Sequence, residues 1–384
     1  MTQTAAPLIP IVDQDAQAAG LSERLFLAGL ASFELYSVHL GLELGLYRCL
    51  VETGPCPPEA LAGVAGIHER YAREWLEQQA VAGIVEVDDI ETDATERVYR
   101  LPPGHAEALL DPVSLSYAAP FTSFLLCVPP ALPALVEAFR TGGGVHHSHY
   151  DPYHREGQGA FNRAAFMKLL ATRWLPEGAP DVHRRLGADP PARVADLGCG
   201  LGWSSIALAR HYPKVRVDGF DFDAPSVVAA RSNAEQAGVA DRASFEVREA
   251  TDPALAGAYD LVVMFEVLHD LSRPVEVLRA AGRMLTPGGA LIVMDERVAE
   301  TFTAPGDEVE RFMYACSVLH CLPTGMLEQP SAGTGTVLRP ATVRHYAAEA
   351  GYSGRRGAPH RARLLPLLPP RPLIPDSLIQ EETP

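Results

Sequence analysis

The chain has few cysteines and no pair of them in C-x-x-C spacing: Cys49, Cys56, Cys127, Cys199, Cys316 and Cys321 are scattered over 384 residues. That spacing points to neither a disulfide framework nor a zinc site, and reduced, mostly buried thiols are the expectation. The start, Met1-Thr-Gln-Thr-Ala-Ala-Pro7, lacks a basic segment followed by an apolar core, so no secretory signal is expected. No apolar run is long enough to span a bilayer, which makes the cytosol the expected location and a membrane no expected partner. Positive charge is also short, with 32 Lys plus Arg against 48 Asp plus Glu and a net charge of −16. That balance disfavours non-specific binding to nucleic acid or anionic membranes. What remains is a chain of ordinary globular composition, 47% hydrophobic and 21% charged, long enough for two or three domains.

The rest is organised around Val194-Ala-Asp-Leu-Gly-Cys-Gly-Leu-Gly-Trp-Ser-Ser205. Apolar residues from Arg193 to Leu197 read as a strand. Glycines follow at alternate positions, Gly198, Gly200 and Gly202, and a helical pattern resumes at Trp203. A strand, a glycine turn and a helix let backbone approach a nucleotide-like ligand, with helix N–H groups free to meet it. A second strand, Val215 to Asp221, ends in an acid of the kind that accepts both ribose hydroxyls. Ser244–Arg248, Tyr259–Phe265 and Ala290–Asp295 read as three more strands, the last entered through Pro287-Gly-Gly289. Strands alternating with helices predict an α/β fold, a doubly wound and mostly parallel Rossmann-like sheet.

A dinucleotide site needs G-x-G-x-x-G, whereas the spacing here is G-x-G-x-G followed by bulky Trp203. The order Asp196-Leu-Gly-Cys-Gly200, Asp221 and Leu285-x-Pro-Gly-Gly289 resembles the class I S-adenosylmethionine-dependent methyltransferases, over residues 186–353. The resemblance implies S-adenosyl-L-methionine as cofactor. It places Asp196, Gly198, Cys199, Gly200 and Gly202 beside the methionine part, Asp221 on the ribose and Phe222 beside the adenine. It also brings Glu249 and Ala250 to the adenine edge, and Phe265 to the cofactor at the end of the fourth strand. The family often has Asp where Glu249 stands.

Ahead of this lies an α-rich region. Residues 1–20 read as a loose arm. Phe33, Tyr36, Leu40, Leu44 and Tyr47 recur at helical steps and want a partner, such as a second subunit. A helix from Pro57, a second from Glu69 to Ala82 with Tyr71, Trp75 and Val81 inward, and a hairpin of Ile84–Val87 with Val98–Leu101 form a winged helix within residues 21–105. From Cys56 to Leu101 there are four Arg, no Lys and ten acids. A DNA reader should be basic, so a DNA-binding regulator with a cofactor-sensing domain is only the alternative reading. The region resembles the winged-helix dimerisation module of small-molecule O-methyltransferases, which implies a homodimer.

Residues 106–185 read as linker and cap helices, with the loop from Gly142 to Arg155 carrying His146, His147, His149 and His154. No two of these have i, i+4 spacing on an evident helix, so a solvated or substrate-facing loop is expected in place of a metal site. Tyr150, Tyr153 and Arg155 are candidate pocket walls, as are Met313, Tyr314, Leu319 and His320 in a predicted helix, Asp307–Cys321. The fourth strand runs into Phe265-Glu-Val-Leu-His-Asp270. The resemblance makes His269 the general base for a hydroxyl acceptor, with Asp270, Asp295 and Glu296 as acids near it. From the residues alone, His269 as a helix cap and a surface pair with Arg297 stay open.

After Gly354 the fold calls for two more strands, but Arg355 to Pro370 is proline-rich and poor in β-branched residues. One permitted codon string for this segment, read one nucleotide later, gives V-E-V-L-P-I-E-H-D-F-F-R-F-Y-R-L. A frameshift near Gly354, giving residues 354–384 as an atypical tail that lacks both strands, is therefore the expectation, with a genuine proline-rich tail as the other reading.

Overall fold

A computed structural model describes residues 13–352, together with the backbone of Arg361–Leu364. The chain divides into two compact units, residues 1–110 and 111–384.

The first unit opens on helix α1 (Gln14–Glu43), capped by Asp13, whose carboxylate accepts the N–H groups of Asp15 and Ala16. The arm expected over residues 1–20 is thus helical from Gln14, because an N-cap aspartate satisfies the first free donors. Helices α2 (Leu46–Thr53), α3 (Pro58–Ala65), α4 (Glu69–Val81) and α5 (Pro103–Leu110) follow, with a wing of β1 (Glu86–Val87) against β2 (Tyr99–Arg100) between the last two. Leu46, Tyr47, Leu50, Leu61, Trp75, Leu76 and Tyr99 make its core. Trp75 faces inward as expected, but Tyr71 and Val81 are 76% and 91% exposed. The buried stripe of α4 is Ala72, Trp75, Leu76 and Gln79, so those two lie off it. Gly41 allows the crossing of α1 and α4, since a Cβ there would lie 2.4 Å from Trp75 Cζ2. The buried Tyr47 hydroxyl donates to Gln79 Oε1, and the Trp75 indole donates to Ser37 O at 3.0 Å.

In the second unit, α6 (Pro120–Thr141), α7 (Tyr153–Ala165), a π-helical stretch (Phe166–Trp174), α8 (Leu175–Gly178) and α9 (Pro180–Gly187) lead into the sheet. The sheet order is β5-β4-β3-β6-β7-β8, all parallel. Its strands are β3 (Arg193–Leu197), β4 (Arg216–Asp221), β5 (Ala243–Val247), β6 (Tyr259–Phe265), β7 (Leu285–Met294) and β8 (Arg361–Leu364). Helices α10 (Trp203–His211), α11 (Ala224–Gln236) and α12 (Pro274–Met284) make the crossovers. After β7 come α13 (Glu308–Cys316), a π-helical turn (Ser317–Cys321), α14 (Leu322–Gly325) and α15 (Pro340–Glu349).

Two-residue alternation divides the sheet between two cores. Val194, Val217, Leu261, Val263, Phe265 and Ile292 join Phe166, Trp174 and Ile206 on one face. Ala195, Leu197, Phe220, Val262, Met264, Leu291 and Val293 join Leu278 and Met284 on the other. Each such fully buried aliphatic side chain contributes roughly 1.5–3 kcal/mol.

Two expectations are corrected. The tail does supply one of the two missing strands: Arg361–Leu364 pairs with β7 at the sheet edge, where only one side of the backbone must be matched. The rest of the tail, and with it the frameshift reading, lies outside the described residues. By length and composition alone, α1 and α6 are also apolar enough to cross a membrane. Neither is an unbroken apolar run, because scattered polar residues interrupt both, and α6 carries Pro129, Pro130 and Pro133 inside it. Cys127, Ala131, Leu135 and Ala138 of α6 are buried in a protein core of their own.

Candidate active site

Strand order reverses between β3 and β6, so the loops leaving these two strands open a crevice at the carboxyl edge of the sheet. Gly198 follows β3 at φ +70°, and a Cβ on it would lie 2.5 Å from Val267 Cγ2, just past β6. Gly198→Ala should therefore destabilise the fold by about 2–5 kcal/mol, from overpacking and left-handed backbone together. Urea unfolding checks this, and an unchanged midpoint would contradict the packing just described.

The glycine loop is tied to the end of β4. Gly200 N–H donates to Asp221 Oδ2 at 2.8 Å, and Asp221 Oδ1 accepts Asp223 N–H at 2.9 Å. Each oxygen keeps a lone pair for a further donor. A Cβ on Gly200 would meet nothing within 4 Å, so this part of the loop faces open space. Asp196 turns inward, where its Oδ2 accepts the Ser204 and Ser205 hydroxyls at 2.6 and 2.7 Å and fastens α10 to the end of β3. Burial pushes its carboxyl up to about 6. Cys199 is buried, and burial raises its thiol well above the usual range. Phe222 is 55% exposed, with its ring 5.1 Å from that of His147. Glu249 is exposed, Ala250 packs on the core beneath β6, and the Phe265 ring lies 5.7 Å from Phe166.

On the other side of the crevice, β6 and β7 end together and bring the acids around His269. The imidazole Nδ1 lies 2.6 Å from Asp295 Oδ1, and the His269 backbone N–H donates to Asp295 Oδ2 at 3.2 Å. His269 and Asp295 are both buried, whereas Arg297 is exposed. The helix-cap reading of His269 is overturned, since α12 begins later, at Pro274. Nε2 lies 3.3 Å from Asp270 Oδ1, an electrostatic contact without hydrogen-bond geometry. Burial alone would lower the imidazole's pKa, but the charges of Asp270 and Asp295 outweigh it and hold it well above 6.5.

Glu266 escaped the sequence reading. It is the described non-glycine residue with positive φ, +57°, and its Oε2 accepts the side-chain amides of Gln158 at 3.0 Å and Asn162 at 2.6 Å. A residue in that backbone region is over-determined by its surroundings. Burial, then the charge of Glu266, pushes Glu296 up to about 8, and burial likewise raises Glu266 itself.

The histidine loop divides. His146 is exposed, while His154 stacks on buried His320 with ring centroids 3.6 Å apart. Burial, followed by the neighbouring His147, pushes His154 down to about 4, so this stacked ring is neutral at pH 7. Tyr150 is buried, its hydroxyl on Leu319 O at 2.9 Å, and Arg155 pairs with Asp151 at 2.7 Å. Met313 is buried and Tyr314 half-exposed. Phe121 stands 5.6 Å from Phe161 and 6.2 Å from Phe312, giving the unit an aromatic cluster.

A methyltransferase-domain profile matches residues 188–336, the span from before β3 to beyond the acid cluster, and an Rv2258c-like winged helix-turn-helix profile matches residues 31–110. Residues 188–336 are thus similar in sequence to methyltransferase domains. Over 155 residues it is 30% identical to 27-O-demethylrifamycin SV methyltransferase of Amycolatopsis mediterranei, covering 40% of this chain and 52% of that protein. Over 149 residues it is 35% identical to the ubiquinone biosynthesis O-methyltransferase of Sodalis glossinidius, covering 35% and 59%. The chain thus spans little more than half the length of these curated relatives. Among solved structures, mitomycin 7-O-methyltransferase superposes with a TM-score of 0.63 at 22% identity, covering 89% of this chain and 95% of that one. An O-methyltransferase family protein from Burkholderia thailandensis gives 0.60 at 19% identity, covering 90% and 95%. The likeness to these solved structures establishes the fold.

Proposed function

We propose that the chain transfers a methyl group from S-adenosylmethionine to a hydroxyl of a small, partly apolar molecule. The observation that carries this reading is the buried His269–Asp295 pair beside the glycine loop. The residues present fit the cofactor: Gly200 faces open space, both Asp221 oxygens keep a lone pair, and Phe222 offers an exposed ring. When bound, S-adenosylmethionine supplies a methyl group already activated on a sulfonium. Asp221 would hold the ribose, and Phe222 would flank the adenine.

With Nδ1–H donating a hydrogen bond to Asp295, the neutral imidazole carries its lone pair on Nε2. That nitrogen takes the acceptor's hydroxyl proton as the oxygen attacks, and the carboxylate steadies the resulting imidazolium. Asp270, with Asp295, sets the charge around it. Titration of the whole chain with S-adenosylhomocysteine in a calorimeter tests the cofactor, and saturable one-to-one binding is expected. A folded sample that takes none would end the reading, and labelled methyl transfer to a panel of phenols tests the acceptor.

The winged helix serves assembly in this reading. Its Arg70 pairs with Glu74, Arg97 with Glu77, and Arg100 with Glu86 and Asp88, so three of its four arginines are engaged by acids and not set out for phosphate. On α1, Leu25, Phe26 and Phe33 are 63%, 69% and 76% exposed, an apolar face suited to the same face of a second copy in a cytoplasmic homodimer. Leu25→Glu with Phe33→Glu should turn a dimer into a monomer in light scattering. An unchanged mass would remove α1 from the interface.

A further inference from the structure

We propose that His269, Asp270 and Cys321 form a zinc site. One donor atom from each lies within 4.8 Å of the others. The set is assembled by the fold, from the turn after β6 and the end of the π-helical turn at Cys321, so no sequence spacing announces it.

Each donor is prepared for an ion. His269 gives its Nδ1 to buried Asp295 at 2.6 Å, the carboxylate–histidine arrangement that aims the opposite nitrogen at a metal. That nitrogen, Nε2, is 3.3 Å from Asp270 Oδ1, itself a buried oxygen with no hydrogen-bond partner. Cys321 is 8% exposed, which keeps its sulfur from bulk solvent, and its Sγ lies 3.5 Å from His320 Nδ1, a contact the ion would replace. Imidazole, carboxylate and thiolate together suit zinc, whereas magnesium and calcium take oxygen donors. Three protein donors leave a fourth position open for water. Binding forms Zn–S, Zn–N and Zn–O bonds in place of zinc's bonds to water and releases the thiol proton, together with the Nε2 proton of a protonated imidazole, to solvent, with no change of oxidation state.

Where His269 is the base, a consequence that rests on the proposed methyl transfer, the ion occupies the lone pair that would take the acceptor's proton. Zinc then switches the enzyme off reversibly, and a chelator restores it.

The test needs neither cofactor nor acceptor. Cobalt(II) is titrated into the metal-free full chain as a spectroscopic stand-in for zinc. One equivalent should bind with a thiolate-to-cobalt charge-transfer band, and zinc should displace it. Cys321→Ser should abolish the band and Cys49→Ser keep it, while Asp295→Asn should weaken binding by about tenfold or more. In the unsubstituted chain, zinc should slow alkylation of Cys321 but not of Cys49, a readout that stands even if Cys321→Ser folds poorly. Absence of saturable binding, a band that survives Cys321→Ser, or alkylation of Cys321 unchanged by zinc would each overturn the site. S-adenosylhomocysteine titration of the metal-free sample reports on the methyltransferase reading separately, so either idea can fail alone.

Discussion

His269→Asn should lower methyl transfer by about 10²- to 10⁴-fold, the usual contribution of a positioned general base, and leave S-adenosylhomocysteine affinity nearly unchanged. The substitution removes Nε2 as a proton acceptor but leaves the glycine loop and Asp221 untouched. The pH profile carries a further expectation. The base works only when unprotonated. Burial by itself would lower the His269 pKa, but Asp270 and Asp295 raise it well above 6.5, so the rate should climb with pH and level off above that value. Asp295→Asn withdraws one of the raising charges and should shift the inflection to lower pH. It should also cost rate at the plateau, since the imidazole loses the partner that fixes its tautomer. A His269→Asn variant that keeps more than a tenth of the rate would show that the proton leaves by another route. An Asp295→Asn profile with an unmoved inflection would show that this carboxylate does not act on the base.

The sheet was legible because its strands announce themselves by local rules: an unbroken apolar run in Leu261–Phe265, glycines after β3, an acid closing β4. The glycine loop and Asp221 were legible for the same reason, since a turn and its neighbouring strand end are near in sequence. The His269–Asp295 bond spans two strand ends 26 residues apart, and its 2.6 Å contact depends on the parallel register of β6 and β7. Glu266 had no signal of its own, because its role follows from amides of α7 more than 100 residues away. The stack of His154 on His320 is likewise a product of tertiary packing, and it puts one member of a loop expected to be solvated or substrate-facing into a partly buried, neutral state. Tyr71 and Val81 were misjudged because a helix in a small unit buries a narrow stripe, and residues beside that stripe look the same in sequence.

Asp221→Ala should weaken S-adenosylhomocysteine binding by two to four orders of magnitude. Two hydrogen bonds from ribose hydroxyls to a charged carboxylate are worth about 1.5–3 kcal/mol each, and every 1.4 kcal/mol is tenfold. The loss is compounded by the loop, because the carboxylate also holds Gly200 N–H at 2.8 Å and Asp223 N–H at 2.9 Å. Asp221→Asn separates these contributions. It keeps an oxygen acceptor for one donor but lacks the charge, so its loss should fall between that of the parent and that of alanine. The sign of the pH effect follows from burial, which raises the Asp221 carboxyl above its ordinary 3.8. Affinity should therefore decline as pH falls through a value above 3.8, as the acceptor becomes a donor on one oxygen. Asp221→Asn should not show that decline. Calorimetric titration of the three proteins across acidic pH makes the comparison. If alanine binds within threefold of the parent, the ribose is held elsewhere and the crevice takes a different ligand.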